Sequence, residues 1–393
     1  MTGRCGDEKG WGMAGCLDGI RVIELARYQA GPRGGMILSD LGAEVIKLEK
    51  LGGESTRKSS PLVNGQSVYF SVYNRGKKSI CVDMRKEEGK QIFWDLLPTA
   101  DFVLQNFRPG TMKKMGMDYE SLCKVKPDII LLSASAFGQY GPYHERPGFD
   151  PIGQAMSGLM MLTGQPVGQP LGTASSIVDR YTALHLTIGA LAALRHRDLT
   201  GEGQEIDVCL MDSALTMVEI PTSYYLSTGQ EGGESGRPPY KAKDGWVIIS
   251  SGPAEMRKRL AEITGGAIQP LPDGSYPAIS SGNRSEGIEK WCAEHTVDEI
   301  VSALTEAGIV VAPVLSTPQV AKDPHVWERQ MLVKMDDPVA GEMYLPGLTI
   351  KFSKTPGKLG PVPTPGQHTD EILGTLPGYD ADRIAALRAG GVI

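Results

Sequence analysis

The chain has 393 residues and a mass of 42.2 kDa, and its 41% hydrophobic content is enough for sizeable cores and two domains. The formal net charge is −6 and lysine and arginine are scattered, so nothing indicates nucleic-acid binding. No stretch reaches 18 consecutive apolar residues, so we predict a soluble protein that does not enter a membrane.

The amino-terminal segment and the cysteines contribute little chemistry. Residues 1–16 are glycine-rich and charged and lack the apolar centre of a signal peptide, so we interpret them as a flexible extension. The cysteines form no CxxC pair and show no zinc-ligand spacing, which predicts free thiols in a reducing cytoplasm and no metal site. They are Cys5, Cys16, Cys81, Cys123, Cys209 and Cys292.

Strand and helix patterns alternate from Leu17 onward. Short aliphatic runs predict strands, and the stretches between them predict helices, one beginning near Pro32 and one over residues 87–97. This alternation predicts a mostly parallel sheet with helices on both faces, whose ligands bind at the carboxyl ends of the strands. The predicted strands cover residues 20–25, 44–49, 79–84, 101–105 and 128–134.

The loops after these strands carry no nucleotide-binding fingerprint. Neither GxGxxG nor GxxxxGK[ST] follows any of them, so the sequence does not indicate NAD or ATP. Instead they contain YQAGP (28–32), NRGKK (74–78) and NFRPG (106–110). The basic residues of NRGKK, together with Lys113 and Lys114, are either phosphate ligands or a solvated charged surface.

A long helix is predicted directly after Asp179. Apolar residues recur at helical spacing at Leu184, Ile188, Leu191 and Leu194, and small residues fill the other faces, so we predict a helix buried nearly all round. Asp179 lies at or near its N-terminus. There it is either an N-cap, worth about 1 kcal/mol, or a functional carboxylate, and spacing alone leaves both open. A strand over residues 205–210 follows.

The second half of the chain begins with a change in composition near residue 221. Residues 228–239 form a linker rich in glycine, proline and glutamate, and Thr296 to Glu299 have the pattern of a helix capping box. We predict an α/β fold with a large Rossmann-like domain over residues 17–221 and a smaller α+β domain over residues 222–318. Residues 319–393 then form a return linker and the last part of the large domain.

Five motifs, in this order, resemble the class III coenzyme A transferases of the formyl-CoA transferase type. Besides YQAGP, NRGKK and NFRPG, they are the segment D…LH…IGALAAL…TGEGQ.IDV, which begins at Asp179, and the carboxyl-terminal PG.HTDEIL…IAALRAGGVI. The resemblance spans most of the chain. It implies two domains joined by two linkers into a ring, and two such rings interlocked as a homodimer.

The resemblance also implies a reaction and a catalytic group. Coenzyme A moves from an acyl-CoA to a free carboxylic acid, Asp179 is the nucleophile, and Gln29 is a polar contact beside the thioester. Coenzyme A is then a substrate, and no tightly bound cofactor is expected. Residues that fall where the family contacts coenzyme A are Gln29, Lys50, Asn74, Arg75, Lys77, Lys78, Asn106, Phe107, Arg108, Lys114, Phe137 and Gly138.

Two questions stay open at the level of sequence. The amides that stabilise the oxyanion have candidates in the glycine-rich turns at 138–142 and 250–252, and the acid pair is not identified. An α-methylacyl-CoA racemase is a rival interpretation, but Phe149 stands where such enzymes carry the histidine of a GHD motif, and phenylalanine transfers no proton. A non-catalytic acyl-CoA-binding subunit is a second rival, disfavoured by an intact Asp179.

Overall fold

The computed structural model describes residues 15–164, 168–232, 239–250, 252–277 and 285–393. The predicted extension over residues 1–16 lies almost wholly outside these ranges, and the predicted linker over residues 228–239 lies partly outside them. Among the described residues the cysteines are free thiols, as predicted. No helix in this part of the chain combines the length and the apolar character that crossing a membrane requires.

The secondary structure follows the predicted alternation. In chain order the strands are β1 (Arg21–Glu24), β2 (Glu44–Glu49), β3 (Leu62–Val63), β4 (Gln66–Ser67), β5 (Lys78–Cys81), β6 (Phe102–Gln105), β7 (Ile130–Ser135), β8 (Glu205–Cys209), β9 (Tyr240–Lys241), β10 (Trp246–Ser250), β11 (Val310–Pro313), β12 (Leu332–Asp337) and β13 (Gly341–Pro346). The α-helices are α1 (Ala30–Asp40), α2 (Val68–Asn74), α3 (Glu87–Leu96), α4 (Thr111–Lys114), α5 (Tyr119–Val125), α6 (Asp150–Met156), α7 (Leu159–Thr163), α8 (Ile177–Thr200), α9 (Leu210–Leu215), α10 (Glu219–Thr228), α11 (Ala254–Ile263), α12 (Glu286–Ala293), α13 (Val297–Glu306), α14 (Thr317–Val320), α15 (Pro324–Glu328), α16 (Thr369–Leu373) and α17 (Ala381–Ala389). Single 3₁₀ turns occur at Ser55–Lys58 and Leu97–Thr99.

The chain forms two compact units. The first contains the chain up to Gly153, Ser175–Ala214 and His325–Ile393, and the second contains Gln154–Ala174 and Leu215–Pro324. Residues 154–174 therefore lie in the second unit, whereas the sequence analysis placed them in the large domain. Because α6 runs through the boundary at Gly153 without a break, its sequence carries no signal of the change.

A six-stranded sheet organises the first unit. Its order is β5-β2-β1-β6-β7-β8, and every adjacent pair is parallel. The predicted α/β class with a mostly parallel sheet is confirmed. The strand order reverses between β1 and β6, and in open parallel sheets ligands bind outside the carboxyl ends of the strands at such a switch point.

The carboxyl terminus completes the core of this unit. Ile372, Leu376 and Val392 are buried in the same cluster as residues of β1, β2 and β6. The backbone joins as well, since the Asp83 amide donates to the Val392 carbonyl at 2.8 Å. Residues of this carboxyl-terminal segment are therefore part of the core of the first unit.

A buried ionic cluster lies beneath α1. The Glu24 carboxylate on β1 accepts from Lys47 Nζ at 2.9 Å and is paired with Lys77 Nζ at 2.7 Å, and all three side chains are inaccessible to solvent. Burial lowers the pKa of Lys77 to about 8, whereas for Lys47 the neighbouring carboxylates outweigh burial and raise the pKa. Gly35 passes so close that a side chain there would overlap the Glu24 carboxylate.

Helix α8 corrects one prediction. Its buried face is made of small and medium residues such as Ala183, Ala190 and Ala193, which pack on α1, β7 and β8. The larger predicted core residues Leu184 and Ile188 are exposed in the single chain, Ile188 at 63%. The prediction of a helix buried nearly all round is wrong, because the face that carries Leu186 and the small residues is buried while the face that carries Leu184 and Ile188 is exposed.

The second unit has a core of its own. The antiparallel strands β11-β10-β9 form its sheet, and α11, α12 and α13 contribute buried residues such as Leu260, Ile288 and Ile300. The predicted capping box at the start of α13 is confirmed, since the Thr296 side chain accepts from the Glu299 amide and the Glu299 carboxylate accepts from the Thr296 amide.

Candidate active site

A cavity of about 430 Å³ lies where the strand order of the large sheet reverses. Five short segments contribute to it: the loop after β1, the loop after β6, the residues at the end of β7, residues 146–149, and the first turn of α8. This is the position at which a parallel sheet with this strand order binds ligands. Its lining residues include Arg27, Tyr28, Gln29, Asn106, Phe107, Arg108, Ala136, Arg146, Phe149 and Asp179.

Asp179 is the third residue of α8, and its side chain lines this cavity. The N-cap is Ser176, so the interpretation of Asp179 as an N-cap is wrong. Burial and, to a lesser extent, the neighbouring Asp150 carboxylate raise the pKa of the Asp179 carboxyl to about 7, and Arg180 opposes both. A buried carboxylate with a raised pKa is poorly solvated and more basic than an ordinary aspartate.

Asp150 lies behind the first turn of α8. Its side chain is 3% exposed, and its Oδ1 accepts from the Val178 amide at 2.7 Å and from the Asp179 amide at 3.0 Å. A carboxylate from α6 therefore occupies amides that have no partner within α8 itself.

The loop after β1 forms one wall. Gln29 is buried and its Nε2 donates to the Ser176 carbonyl at 3.3 Å, which links this loop to the residue before α8. Tyr28 has a left-handed backbone with φ of 66°, and its ring meets the Phe149 ring edge to face at 5.7 Å. Gln29, Tyr28 and Phe149 thus surround the cavity that Asp179 enters.

The loop after β6 forms the opposite wall. The Asn106 side chain accepts from the Arg27 amide at 2.8 Å and donates to the Arg27 carbonyl at 2.6 Å, so the two loops are fastened together. The Arg27 guanidinium lies 5.3 Å from the centre of the Phe107 ring. Asn106, Phe107 and Arg108, which the sequence placed at the coenzyme A site, all line the cavity.

Three guanidinium groups give the cavity a positive character. Arg27, Arg108 and Arg146 line it, and within the described ranges of the chain none of them forms an ion pair with a carboxylate. Arg146 lies over the Tyr143 ring at 4.0 Å. Planar cations without a protein counterion are suited to bind carboxylates or phosphates.

A second cavity of about 580 Å³ adjoins the first along the same sheet edge. The two share Arg27, Phe107 and Thr111. Residues that follow β2 and β5 complete the second cavity, among them Lys50 and Arg85. Together the cavities form an elongated site with Asp179 at one end and basic residues along it.

The NRGKK motif lines neither cavity. Four residues that were predicted to contact coenzyme A therefore lie away from both cavities: Asn74, Arg75, Lys77 and Lys78. Asn74, Arg75 and Lys77 are at most 2% exposed; Arg75 pairs with Asp40, and Lys77 with Glu24. The charges of Arg75 and Lys77 are neutralised inside the protein, and none of the three residues lines either cavity.

Lys78 lies away from both cavities for a different reason. It is the first residue of β5, so it lies at the amino edge of the sheet, opposite both cavities. There it pairs with Glu44 and Glu371, each at 2.6 Å. The motif is basic because it supplies internal ion pairs.

Other predicted residues lie near the site without lining it. Lys114 is exposed at the end of α4, and Phe137 packs against Tyr143 with 5.9 Å between ring centres. The Gly138 amide donates to Ser135 Oγ at 2.9 Å and the Gln139 amide to Asp207 at 2.8 Å. Both amides are thus engaged, which argues against this turn as the oxyanion site.

Two further expectations concern histidine and metals. His185 Nδ1 lies 3.2 Å from Ser213 Oγ and its ring packs on Tyr181, as expected for a histidine satisfied by packing. The glycine turn at 250–252 contains residue 251, which is outside the described residues. In the ranges that the structure covers, no cluster of His, Cys, Asp and Glu side chains could hold a metal ion.

Sequence reasoning missed several lining residues. Arg27 and Arg146 were not assigned, Tyr28 was noted only within YQAGP, and Asp150, which lies behind the cavity without lining it, was given no role. The available signal was position, since Arg27 follows β1 closely and the switch point lies beside that strand. The role of Asp150 could not be seen, because its partners are backbone amides 28 and 29 residues away.

Known proteins resemble this chain over nearly its whole length. The model of CoA-transferase family III matches residues 17–369. The succinyl-CoA–D-citramalate CoA-transferase of Chloroflexus aurantiacus is 34% identical, over 96% of this chain and 98% of its own. The succinyl-CoA:mesaconate CoA-transferase of Haloarcula hispanica is 35% identical, over 91% and 96%. A solved CAIB/BAIF family protein from Brucella suis superposes with a TM-score of 0.82 at 32% identity, covering 93% of this chain and 100% of that one.

The raised pKa of Asp179 predicts a stability gain in Asp179→Asn that depends on pH. Folding raises the pKa of Asp179 from 3.8 to about 7. The free energy of unfolding of the wild-type protein therefore falls as pH rises from about 4 to about 7, and it stays at the lower value above that interval. Asparagine does not ionise. At about pH 8 we expect the variant to be more stable by roughly 2 kcal/mol, allowing for partial solvent exposure, and at about pH 4 we expect no difference. Urea denaturation at the two pH values measures this.

The control is Asp198→Asn, which alters an exposed aspartate on the same helix. It should give no gain that depends on pH. Equal stability of wild type and Asp179→Asn at about pH 8 would contradict the prediction.

Proposed function

The chain belongs to CoA-transferase family III and is a CoA-transferase, and we propose that Asp179 is the group through which it moves coenzyme A from an acyl-CoA to a free carboxylic acid. The observation that carries this proposal is the partly buried Asp179 carboxylate, with a pKa of about 7, in a cavity lined by arginines without carboxylate partners. A coenzyme A thioester is the substrate, and each step exchanges one activated acyl bond for another.

In the proposed mechanism the Asp179 carboxylate attacks the thioester carbonyl of the donor. The carbon–sulfur bond breaks, the electron pair leaves with the coenzyme A thiolate, and a mixed anhydride forms on Asp179. The thiolate then attacks the aspartyl carbonyl, which releases the donor acid and leaves an aspartyl thioester. Attack by the acceptor carboxylate expels the thiolate again and forms a new anhydride. The thiolate attacks its acceptor carbonyl and regenerates Asp179.

The environment of Asp179 suits this role. A carboxylate is a weak nucleophile, and burial makes it more reactive by removing water and raising its basicity. At physiological pH a pKa of about 7 leaves a large fraction ionised. Gln29, which lines the same cavity, is positioned to contact the thioester oxygen through its amide.

The two adjoining cavities match the shape of coenzyme A. We place its thioester beside Asp179, its pantetheine arm past Phe107, and its phosphates and adenine in the second cavity near Lys50 and Arg85. Phe107 lines both cavities and therefore forms the wall along which the arm passes. Arg27 and Arg108 are available to bind phosphate or carboxylate oxygens along this path.

The relatives guide the choice of acids. Two of them are named for succinyl-CoA as donor and for citramalate or mesaconate as acceptor, all of which carry two carboxylates in the free acid. We propose that this chain uses succinyl-CoA and a dicarboxylic acceptor, with Arg146 and Arg108 as ligands for the carboxylate that does not react.

The site disfavours a racemase. Such a reaction needs an acid and a base on opposite sides of the α-carbon, and the residue that lines the cavity at the GHD position is Phe149. Its ring packs on Tyr28 and carries no transferable proton.

We also propose that the protein is an interlocked homodimer in the cytoplasm. Leu184, Ile188 and Leu191 form an exposed apolar face on α8, and α10 has no buried residue although it carries Ile220 and Leu226. Apolar faces of this kind are usually covered by a partner in soluble proteins. The identical faces of a second copy supply a partner of matching chemistry.

Asp179→Ala is expected to abolish exchange and to preserve binding. With succinyl-CoA and a panel of mono- and dicarboxylic acids, new thioesters detected by mass spectrometry should fall about 10³-fold or more, while the Kd for coenzyme A changes less than about twofold. In the wild-type protein, hydroxylamine treatment after incubation with succinyl-CoA should modify residue 179. Asp198→Ala serves as the control. Exchange with no pair, or label at another residue, excludes this mechanism.

The variants Arg108→Ala and Lys78→Ala test which edge of the sheet binds succinyl-CoA. Loss of a charged hydrogen bond costs about 1.5–3 kcal/mol, so we expect Arg108→Ala to raise KM for succinyl-CoA about tenfold or more with a smaller change in kcat. Lys78→Ala should leave KM unchanged because Lys78 lies at the amino edge. An equal rise in both variants would show that the coenzyme A site includes Lys78.

Ile188→Glu is expected to break the dimer. The substitution buries a charge in the proposed interface, which costs several kcal/mol and favours the monomer. Light scattering coupled to size-exclusion chromatography measures the mass. The control is Val125→Glu, since Val125 is an exposed apolar residue on α5. If Ile188→Glu remains a dimer, α8 is not part of the interface.

A further inference from the structure

The first turn of α8 poses a problem for a nucleophile. A helix N-terminus presents free amides and a positive dipole end, and both stabilise a nearby anion. An Asp179 anion stabilised in this way would be less basic and less reactive. The structure places a second carboxylate on these amides, since Asp150 Oδ1 accepts from both Val178 and Asp179.

We propose that Asp150 is a positioning residue for the reaction: its buried carboxylate fixes the first turn of α8 and, by occupying the amides there with a negative charge, keeps Asp179 nucleophilic. This inference rests on the proposed role of Asp179. Asp150 itself is 3% exposed and does not line the cavity, so it acts on the substrate only through Asp179.

Burial is the largest cause of the raised pKa of Asp179, and the charges around Asp179 add to this effect or oppose it. Among charged neighbours, Asp150 raises the pKa of Asp179 and Arg180 lowers it. The Arg180 guanidinium is held by Ser175 Oγ and by the Tyr73 hydroxyl at 3.5 Å. The phenol of Tyr69 on α2 has a pKa raised by burial and by Asp179, so it is neutral. Arg27, Arg108 and Arg146 line the same cavity.

A plain helix cap is the competing explanation, and a neutral cap distinguishes the two. The substitution Asp150→Asn keeps an oxygen that accepts from the two amides and removes only the charge, and Asp150→Ser provides a second neutral acceptor. If Asp150 only caps the helix, neutral acceptors leave the pH at which Asp179 ionises unchanged. If its charge matters, they lower the pH at which Asp179 ionises.

The test measures the ionisation of Asp179 in two ways. In single turnovers with succinyl-CoA, acylation of residue 179 is followed by intact-protein mass spectrometry across pH. We expect Asp150→Asn to shift the midpoint down by about one pH unit and to lower the limiting rate about threefold or more. Coenzyme A affinity should stay within about twofold. Asp118→Asn, at the N-cap of α5, is the matched control and should change neither.

The second measurement does not depend on activity. The extra stability that Asp179→Asn confers is determined against pH in the wild-type protein and in the Asp150→Asn variant, and its midpoint should fall by about the same amount in the latter. Asp150→Ser replaces Asp150→Asn if the latter does not fold. An unchanged midpoint in the neutral background overturns this inference. Absence of acylation in the wild type, with a shifted midpoint, overturns the proposed function alone.

Discussion

The architecture of the site depends on Glu24, a buried carboxylate that two lysines share. Lys47 Nζ also donates to the Ala26 carbonyl and Lys77 Nζ to the Pro32 carbonyl, each at 2.8 Å. These carbonyls flank the loop that carries Arg27, Tyr28 and Gln29, so the cluster fixes both of its ends. Loss of one partner from a buried ion pair costs about 3–5 kcal/mol because the remaining charge is uncompensated. A loop held in this way can keep Tyr28 in a left-handed conformation without further support.

The end of the site that contains Asp179 combines two opposing electrostatic effects. Arginines along the cavity attract a substrate with phosphates and carboxylates, while burial and Asp150 keep Asp179 in a high-energy state. The distance between these groups matters, because a guanidinium directly on Asp179 would stabilise its anion and reduce its reactivity. In this chain the cation that acts on the pKa of Asp179 is Arg180, which is held by Ser175 and Tyr73.

The fold was largely predictable, and the chemistry only in part. Strand β2 has the predicted bounds because Val45, Ile46 and Leu48 lie close together in a short segment between turns, a pattern that favours a strand. The exposed face of α8 was not predictable, since periodicity shows where apolar residues lie and not which face meets the sheet. NRGKK was predicted to contact coenzyme A, whereas Arg75 and Lys77 pair with the buried carboxylates of Asp40 and Glu24, which are distant in the sequence. Asp179 was identified through resemblance, while the contact with Asp150 required coordinates.

The discontinuous first unit has a consequence for biosynthesis. The cluster that contains Ile23, Ile46 and Val103 is closed by Ile372, Leu376 and Val392, and the Asp83 amide donates to the last carbonyl but one. A ribosome that has made only the sheet has not yet released the residues that cover it. The nascent chain therefore holds an open hydrophobic surface until residues 372–392 have emerged, so the first unit is completed only after the second unit has been made.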